Sequence, residues 1–157
     1  MHIATNSDQI DISLEKKTEK LAQKFQEKLN VGDVVFLQGE MGVGKTTFIR
    51  YLINYFQKKN KLKLSEVTSP TFSLLNEYQV NQINIFHYDL FRLKSSRELK
   101  NLDLFANNSN SITLIEWPQL IEKKPKNYIE LIFSYSGDYK KRFIKINAET
   151  YGLFIKI

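Results

Sequence analysis

Gly39-Glu40-Met41-Gly42-Val43-Gly44-Lys45-Thr46 is a complete GxxxxGK[ST] loop, and it follows directly on the apolar run Val34-Val35-Phe36-Leu37. A strand that enters such a loop and continues into a helix turns a row of backbone N–H groups, and the positive end of the helix, toward one point where a triphosphate fits. Both flanks suit that reading. Residues 34–37 read as a short buried strand, and Phe48, Ile49, Leu52, Ile53 and Phe56 mark the inner face of a helix reaching about Gln57. The fold expected is α/β: a three-layer sandwich of the P-loop nucleoside triphosphate hydrolase kind, with a mixed central sheet and residues 1–157 forming a single domain.

Each residue type in the loop has a task. Lys45 is expected at the β- and γ-phosphates and the Thr46 hydroxyl on Mg²⁺, with a nucleoside triphosphate held along Gly39, Glu40, Met41, Gly42, Val43 and Gly44. Thr47 either reaches the α-phosphate or simply belongs to the helix. A second oxygen ligand on the metal side belongs at the C-terminal end of a buried strand beside the loop. Glu116, after Ile112-Thr113-Leu114-Ile115, stands in such a place, to hold a metal-bound water or to polarise the attacking one. Asp89 is a further candidate, because period two sends His87 and Asp89 to one side of a strand. There it would orient the histidine or hold the attacking water, unless local backbone contacts satisfy it. Thr71, in Ser69-Pro70-Thr71-Phe72, lies where a loop senses a γ-phosphate. Trp117 adjoins Glu116, and Arg50 and Arg92 are cations that either neutralise phosphate or lie on the surface.

Outward from the loop, residues 1–12 suggest a short strand or extended arm, and Ser13 a helix cap before a stripe of Leu14, Leu21, Phe25 and Leu29 that ends near Asn30. Residues 66–68 suggest a short strand ending at the Pro70 bend. Residues 73–78 and 83–88 suggest an antiparallel hairpin at the sheet edge, and Ser95 with Glu98 a capping box. A polar loop over 107–111 leads to a core strand at 112–115, then a short helix over 119–122 started by Pro118. Strands over 128–135 and 143–146 and an edge strand over 153–157 complete the reading.

Composition narrows the classes. The 157 residues contain no cysteine, which excludes disulfides and thiolate metal sites, and only His2 and His87 are available to an all-protein zinc site. There is no apolar run near 18 residues and no signal pattern, so a cytoplasmic chain without a membrane association is expected. The net charge of +6 gathers at Lys58, Lys59, Lys61 and Lys63, at Lys123, Lys124 and Lys126, and at Lys140, Lys141, Arg142 and Lys145. Such patches suit either an acidic partner or a solvated lysine-rich surface.

Taken together, the loop through Arg50, Ser-Pro-Thr-Phe at 69–72, Asn-Glu-Tyr at 76–78, His-Tyr-Asp-Leu-Phe-Arg-Leu at 87–93 and Ile-Glu-Trp-Pro at 115–118 resemble the bacterial TsaE (YjeE) family. The likeness runs from near Ser13 to the strand containing Arg142. It implies an ATPase of tRNA threonylcarbamoyladenosine synthesis that works with TsaB and TsaD, is weak alone, is stimulated by these partners, and meets tRNA only through the complex. It also implies Lys45 and Thr46 on phosphate and Mg²⁺, Glu116 in the metal and water site, and Thr71 and Asp89 in a switch-like region. Ser13 and Thr18 match the region that helps enclose the adenine. Val43, Met41 and Phe91 depart mildly from the residues usual at those places. A small P-loop metabolite kinase and a non-hydrolysing, nucleotide-gated binding module are the alternatives.

Overall fold

The computed structural model describes residues 8–106 and 108–148. In chain order these form β1 (Ile10–Asp11), α1 (Glu15–Gln26), β2 (Val34–Gln38), α2 (Lys45–Lys59), β3 (Leu75–Val80), β4 (Ile83–Asp89), α3 (Ser96–Leu99), β5 (Ser111–Glu116), β6 (Ile129–Tyr135) and β7 (Arg142–Ala148). The strands make one seven-stranded sheet in the order β1-β7-β6-β2-β5-β4-β3. β6, β2, β5 and β4 run parallel to one another, while β3, β7 and β1 pair antiparallel at the flanks. A continuous apolar run such as Val34-Val35-Phe36-Leu37 suits a parallel strand with both faces covered, and these four residues are buried.

Alternation along β2 feeds two cores. Val35 and Leu37 face α1 and α2, where Phe48 packs edge-on between Phe25 of α1 and Phe133 of β6 at ring-centroid distances of 5.6 and 5.9 Å. Val34 and Phe36 face a thinner layer in which Leu90, Leu93, Leu99, Leu102, Leu104 and Phe105 follow the sheet. The mixed sheet and the edge hairpin expected from the sequence are present, and Glu98 accepts the backbone N–H groups of Lys94 and Ser95 at the start of α3.

Four expectations change. Ser13 does not cap α1: its hydroxyl accepts the Arg142 N–H at 3.0 Å, extending the β1–β7 pairing, and Leu14 takes the N-cap position. The helix ends at Gln26, because Asp33 accepts the Asn30 N–H at 2.7 Å and draws the chain into a turn. Residues 66–68 join no ladder; Ser65 N–H and Thr68 C=O bond instead to the side chains of Gln57 and Asn76. After Trp117 there is only a 3-10 turn, Pro118–Leu120, and another, Asn108–Asn110, occupies the polar loop before β5. The edge strand expected over 153–157 lies outside the described residues, as do residues 1–7 of the N-terminal arm.

Candidate functional site

The loop leaves the C-terminal end of β2 and closes at Gly44, whose φ of +115° lets α2 start at Lys45. Gly39 has the tightest surroundings. Its φ is +146°, and a Cβ there would stand 2.7 Å from the carbonyl oxygen of Phe133 and 2.9 Å from its Cβ. Gly39→Ala is therefore expected to cost about 2–4 kcal/mol, through a forced positive φ together with overpacking against β6. Urea denaturation checks this; a midpoint equal to that of the unaltered chain would contradict the crowding.

Lys45 turns back over the loop. Its Nζ donates to the carbonyls of Gly39 at 2.5 Å and Glu40 at 3.0 Å and lies 4.1 Å from the centroid of the Trp117 ring. Burial lowers its pKa, opposed by the carboxylates of Glu116 and Asp89. Two neutral carbonyls are weak acceptors for an ammonium ion, so an anion brought to the loop is the better partner.

Beside it stand the oxygens. β5 runs next to β2 with Leu37 opposite Glu116, and this register carries the Glu116 carboxylate to the loop. Thr46 Oγ1 donates to Glu116 Oε1 at 2.9 Å, with Oε2 at 3.2 Å. Asp89, opposite Glu116 on β4, accepts the Ser69 hydroxyl and, at 3.2 Å, the Thr71 hydroxyl, while its other oxygen takes the Phe91 N–H at 2.9 Å. The expected pairing of Asp89 with His87 is not formed. Both side chains share one face, but the imidazole reaches across to β5, with Nε2 2.8 Å from Glu116 Oε1.

These groups surround a cavity of about 280 Å³, formed by Met41, Gly42 and residues 44–47 of the loop and first helical turn, by Ser69, Thr71, Asp89 and Phe91, and by Glu116, Trp117 and Arg142. A second cavity of about 210 Å³ adjoins it, where Ile12, Ser13, Glu15 and Thr18 meet Val43, Gly44, Thr47 and Arg142. Ser13 and Thr18 are thus brought beside the loop, although the Thr18 hydroxyl is held by the Ile12 carbonyl at 3.4 Å. Gly39 and Glu40 line neither cavity and act through the carbonyls that hold Lys45. Arg50 pairs with Glu15 at 3.0 Å on the surface, Arg92 is exposed, and neither lines the cavity beside the loop.

Sequence reading missed two of these residues as site members. Arg142 borders both cavities from β7 and has no local signal, since a strand pairing distant in sequence places it; Ser69 binds Asp89, and the Pro70 bend beside it was the local signal that could have found it.

The family model described as threonylcarbamoyl adenosine biosynthesis protein TsaE matches residues 12–144, a span that holds the loop, the Ser69–Asp89 contact and Glu116. The chain belongs to the TsaE family. Among TsaE relatives, it is 37% identical to the tRNA threonylcarbamoyladenosine biosynthesis protein TsaE of Rickettsia bellii over 136 residues, covering 86% of this chain and 92% of that one. It is 39% identical to the TsaE of Rickettsia conorii over 111 residues, covering 71% of this chain and 61% of that one. The crystal structure of Bacillus subtilis YdiB superposes with a TM-score of 0.70 at 23% identity, over 95% of this chain and 89% of that one, and so shares the fold.

Beside the loop, Thr46 and Glu116 offer a hydroxyl and a carboxylate, both hard oxygens. Among the described residues no group of three or more His, Asp or Glu side chains could cage an ion. That donor set fits Mg²⁺, which is held by one or two protein oxygens together with substrate phosphates and water rather than by an all-protein cage. No helix among the described residues is long and apolar enough to cross a membrane.

Proposed function

We propose that this chain binds ATP with Mg²⁺ and hydrolyses it, as the nucleotide-driven component that resets or regulates a TsaB–TsaD complex in tRNA threonylcarbamoyladenosine synthesis. The observation that carries this reading is the Thr46–Glu116 contact at 2.9 Å, which sets a buried carboxylate against the first helical residues after a phosphate-binding loop. A carboxylate in that place can accept a proton from water, the task that hydrolysis adds to nucleotide binding.

In this reading the loop N–H groups and Lys45 take the phosphates, and Thr46 and Glu116 hold Mg²⁺. The ion supplies charge neutralisation on the β- and γ-phosphate oxygens. Glu116 and Asp89 are the two carboxylates at the cavity able to accept a proton from water. The second cavity, with Ser13 and Thr18, takes the adenine side. Thr71 and Ser69 tie the segment before β3 to Asp89, so a γ-phosphate that recruits Thr71 alters the exposed surface around Phe72, which is 83% exposed. The chain works in the cytoplasm, and tRNA is met through the complex.

Reconstitution tests the reading. With purified TsaB, TsaD and the enzyme that forms the carbamoyl-adenylate, adding this chain and ATP is expected to sustain tRNA modification over many turnovers. ATP hydrolysis should rise at least about tenfold when the partners are added and fall to background with EDTA, since positioning and charge neutralisation supply most of the catalysis in phosphoryl transfer. Equal modification without the chain would refute the regulatory role.

A further inference from the structure

We propose that His87 is a positioning residue for Glu116: its Nε2–H holds the carboxylate oxygen Oε1 and so fixes the direction in which the carboxylate meets Thr46 and the phosphate cavity. The inference deepens the ATP-hydrolysing reading above and rests on it.

The geometry starts from strand register. β4 and β5 are parallel with His87 opposite Leu114 and Asp89 opposite Glu116, so residues 87 and 89 of one strand and 114 and 116 of the other share a face of the sheet. The imidazole leans one pair along that face, and its Nε2 lies 2.8 Å from Glu116 Oε1. His87 is 0% exposed and Glu116 2%. Nothing in the fold asks for a polar side chain here, because Ile85 and Leu114 on the same face belong to the apolar core under α2. An imidazole in such surroundings is retained for the bond it makes, since burial without a partner is unfavourable.

The other ring nitrogen identifies the donor. Nδ1 has no hydrogen-bond partner among the described residues. A proton on Nδ1 would be a buried donor facing no acceptor, whereas a proton on Nε2 points at a carboxylate oxygen; in its neutral form the ring therefore carries its proton on Nε2. Glu116 Oε1 then accepts from both His87 and Thr46. The two donors are not equivalent. Thr46 lines the phosphate cavity, while His87 lies behind the carboxylate and does not line it. A nucleotide that engages Thr46 leaves the imidazole bond intact, so His87 is the anchor that keeps Glu116 aimed while the phosphate side changes.

Three measurements test this. The chain has only two histidines, so a ¹⁵N-histidine spectrum of the unaltered protein is readily assigned; it is expected to show His87 with its proton on Nε2, protected from exchange, and to lose that protection in Glu116→Ala. His87→Leu is expected to lower ATP turnover at saturating nucleotide by about 10–100-fold, the usual effect of removing a residue that orients a metal-side ligand. Its Kd for a non-hydrolysable ATP analogue should stay within about threefold. His87→Gln, whose amide N–H can take the place of Nε2–H, should recover most of the turnover, while the shorter His87→Asn should not. An Nδ1–H tautomer, full activity in His87→Leu, or equal impairment of the glutamine and asparagine variants would each overturn the proposal. If His87→Leu does not fold, the spectrum of the unaltered chain and the Gln/Asn comparison decide. Absence of turnover in the unaltered chain with its partners would instead refute the hydrolytic reading, and the tautomer would then decide the role of His87 alone.

Discussion

Lys45→Ala is expected to weaken ATP binding by at least about a hundredfold and to leave no measurable turnover, since charge-assisted hydrogen bonds to phosphate contribute about 1.5–3 kcal/mol each and 1.4 kcal/mol is a factor of ten. Lys45 is only 4% exposed yet ends in the cavity, so its charge acts across a short, poorly screened distance. Loss of the fold is not the cause. Burial depresses the pKa of this ammonium, which means that the folded state holds the charge less readily than the unfolded chain does. Below the depressed pKa the charge therefore opposes folding, and its removal relieves that cost while giving up the bonds to the Gly39 and Glu40 carbonyls and the contact with Trp117. The melting temperature of Lys45→Ala should therefore stay within a few degrees of that of the unaltered chain. Titration with a non-hydrolysable analogue measures the binding; a Kd within threefold of the unaltered value would refute the assigned role. Lys45→Arg should fail as well, because a planar guanidinium cannot fold back between the Gly39 and Glu40 carbonyls as a compact ammonium does.

Glu116→Gln separates binding from chemistry. Glutamine keeps the volume of the side chain and a carbonyl oxygen that can accept from Thr46 and His87, so the local hydrogen bonds survive. What it removes is the negative charge and the ability to take a proton. Hydrolysis is expected to fall by about 10²–10³-fold, within the range for loss of a general base or a charge-stabilising group. Affinity for the analogue should change by less than about fivefold. Single-turnover kinetics with partners present distinguish this from slowed product release. Unchanged turnover would remove Glu116 from the chemistry and leave Asp89 as the remaining carboxylate at the cavity.

Much of this arrangement is legible in the sequence, for a local reason. An uninterrupted apolar run followed by Gly39, Gly42, Gly44 and Lys45 specifies strand, loop and helix within a single short stretch. The hairpin at β3 and β4 was equally readable from two alternating runs around a polar turn. Glu116 could be placed because a carboxylate directly after a buried parallel strand has few other uses.

What escaped depends on distant pairings. Ser13 has the chemistry of a helix cap, but β7 offers it the Arg142 backbone, and no local pattern reveals that edge. Period two correctly put His87 and Asp89 on one side; it does not say which neighbouring strand each will address, and they part company, one to Glu116 and the other to Ser69 and Thr71. Arg142 enters the site for the same reason as Ser13, through the strand that closes the sheet far along the chain.

The position of β2 in the sheet also bears on how the molecule is made. Its two neighbours, β5 and β6, come from residues 111–116 and 129–135, so the strand carrying the loop leaves the ribosome with both of its edges unpaired and stays so until those later residues have followed it. Long-range parallel pairing is slow to form, and an apolar strand with open edges is prone to aggregate in the meantime. The loop is therefore translated before the strands that flank it, and it takes its final surroundings, with Gly39 against Phe133, only once β6 has paired with β2.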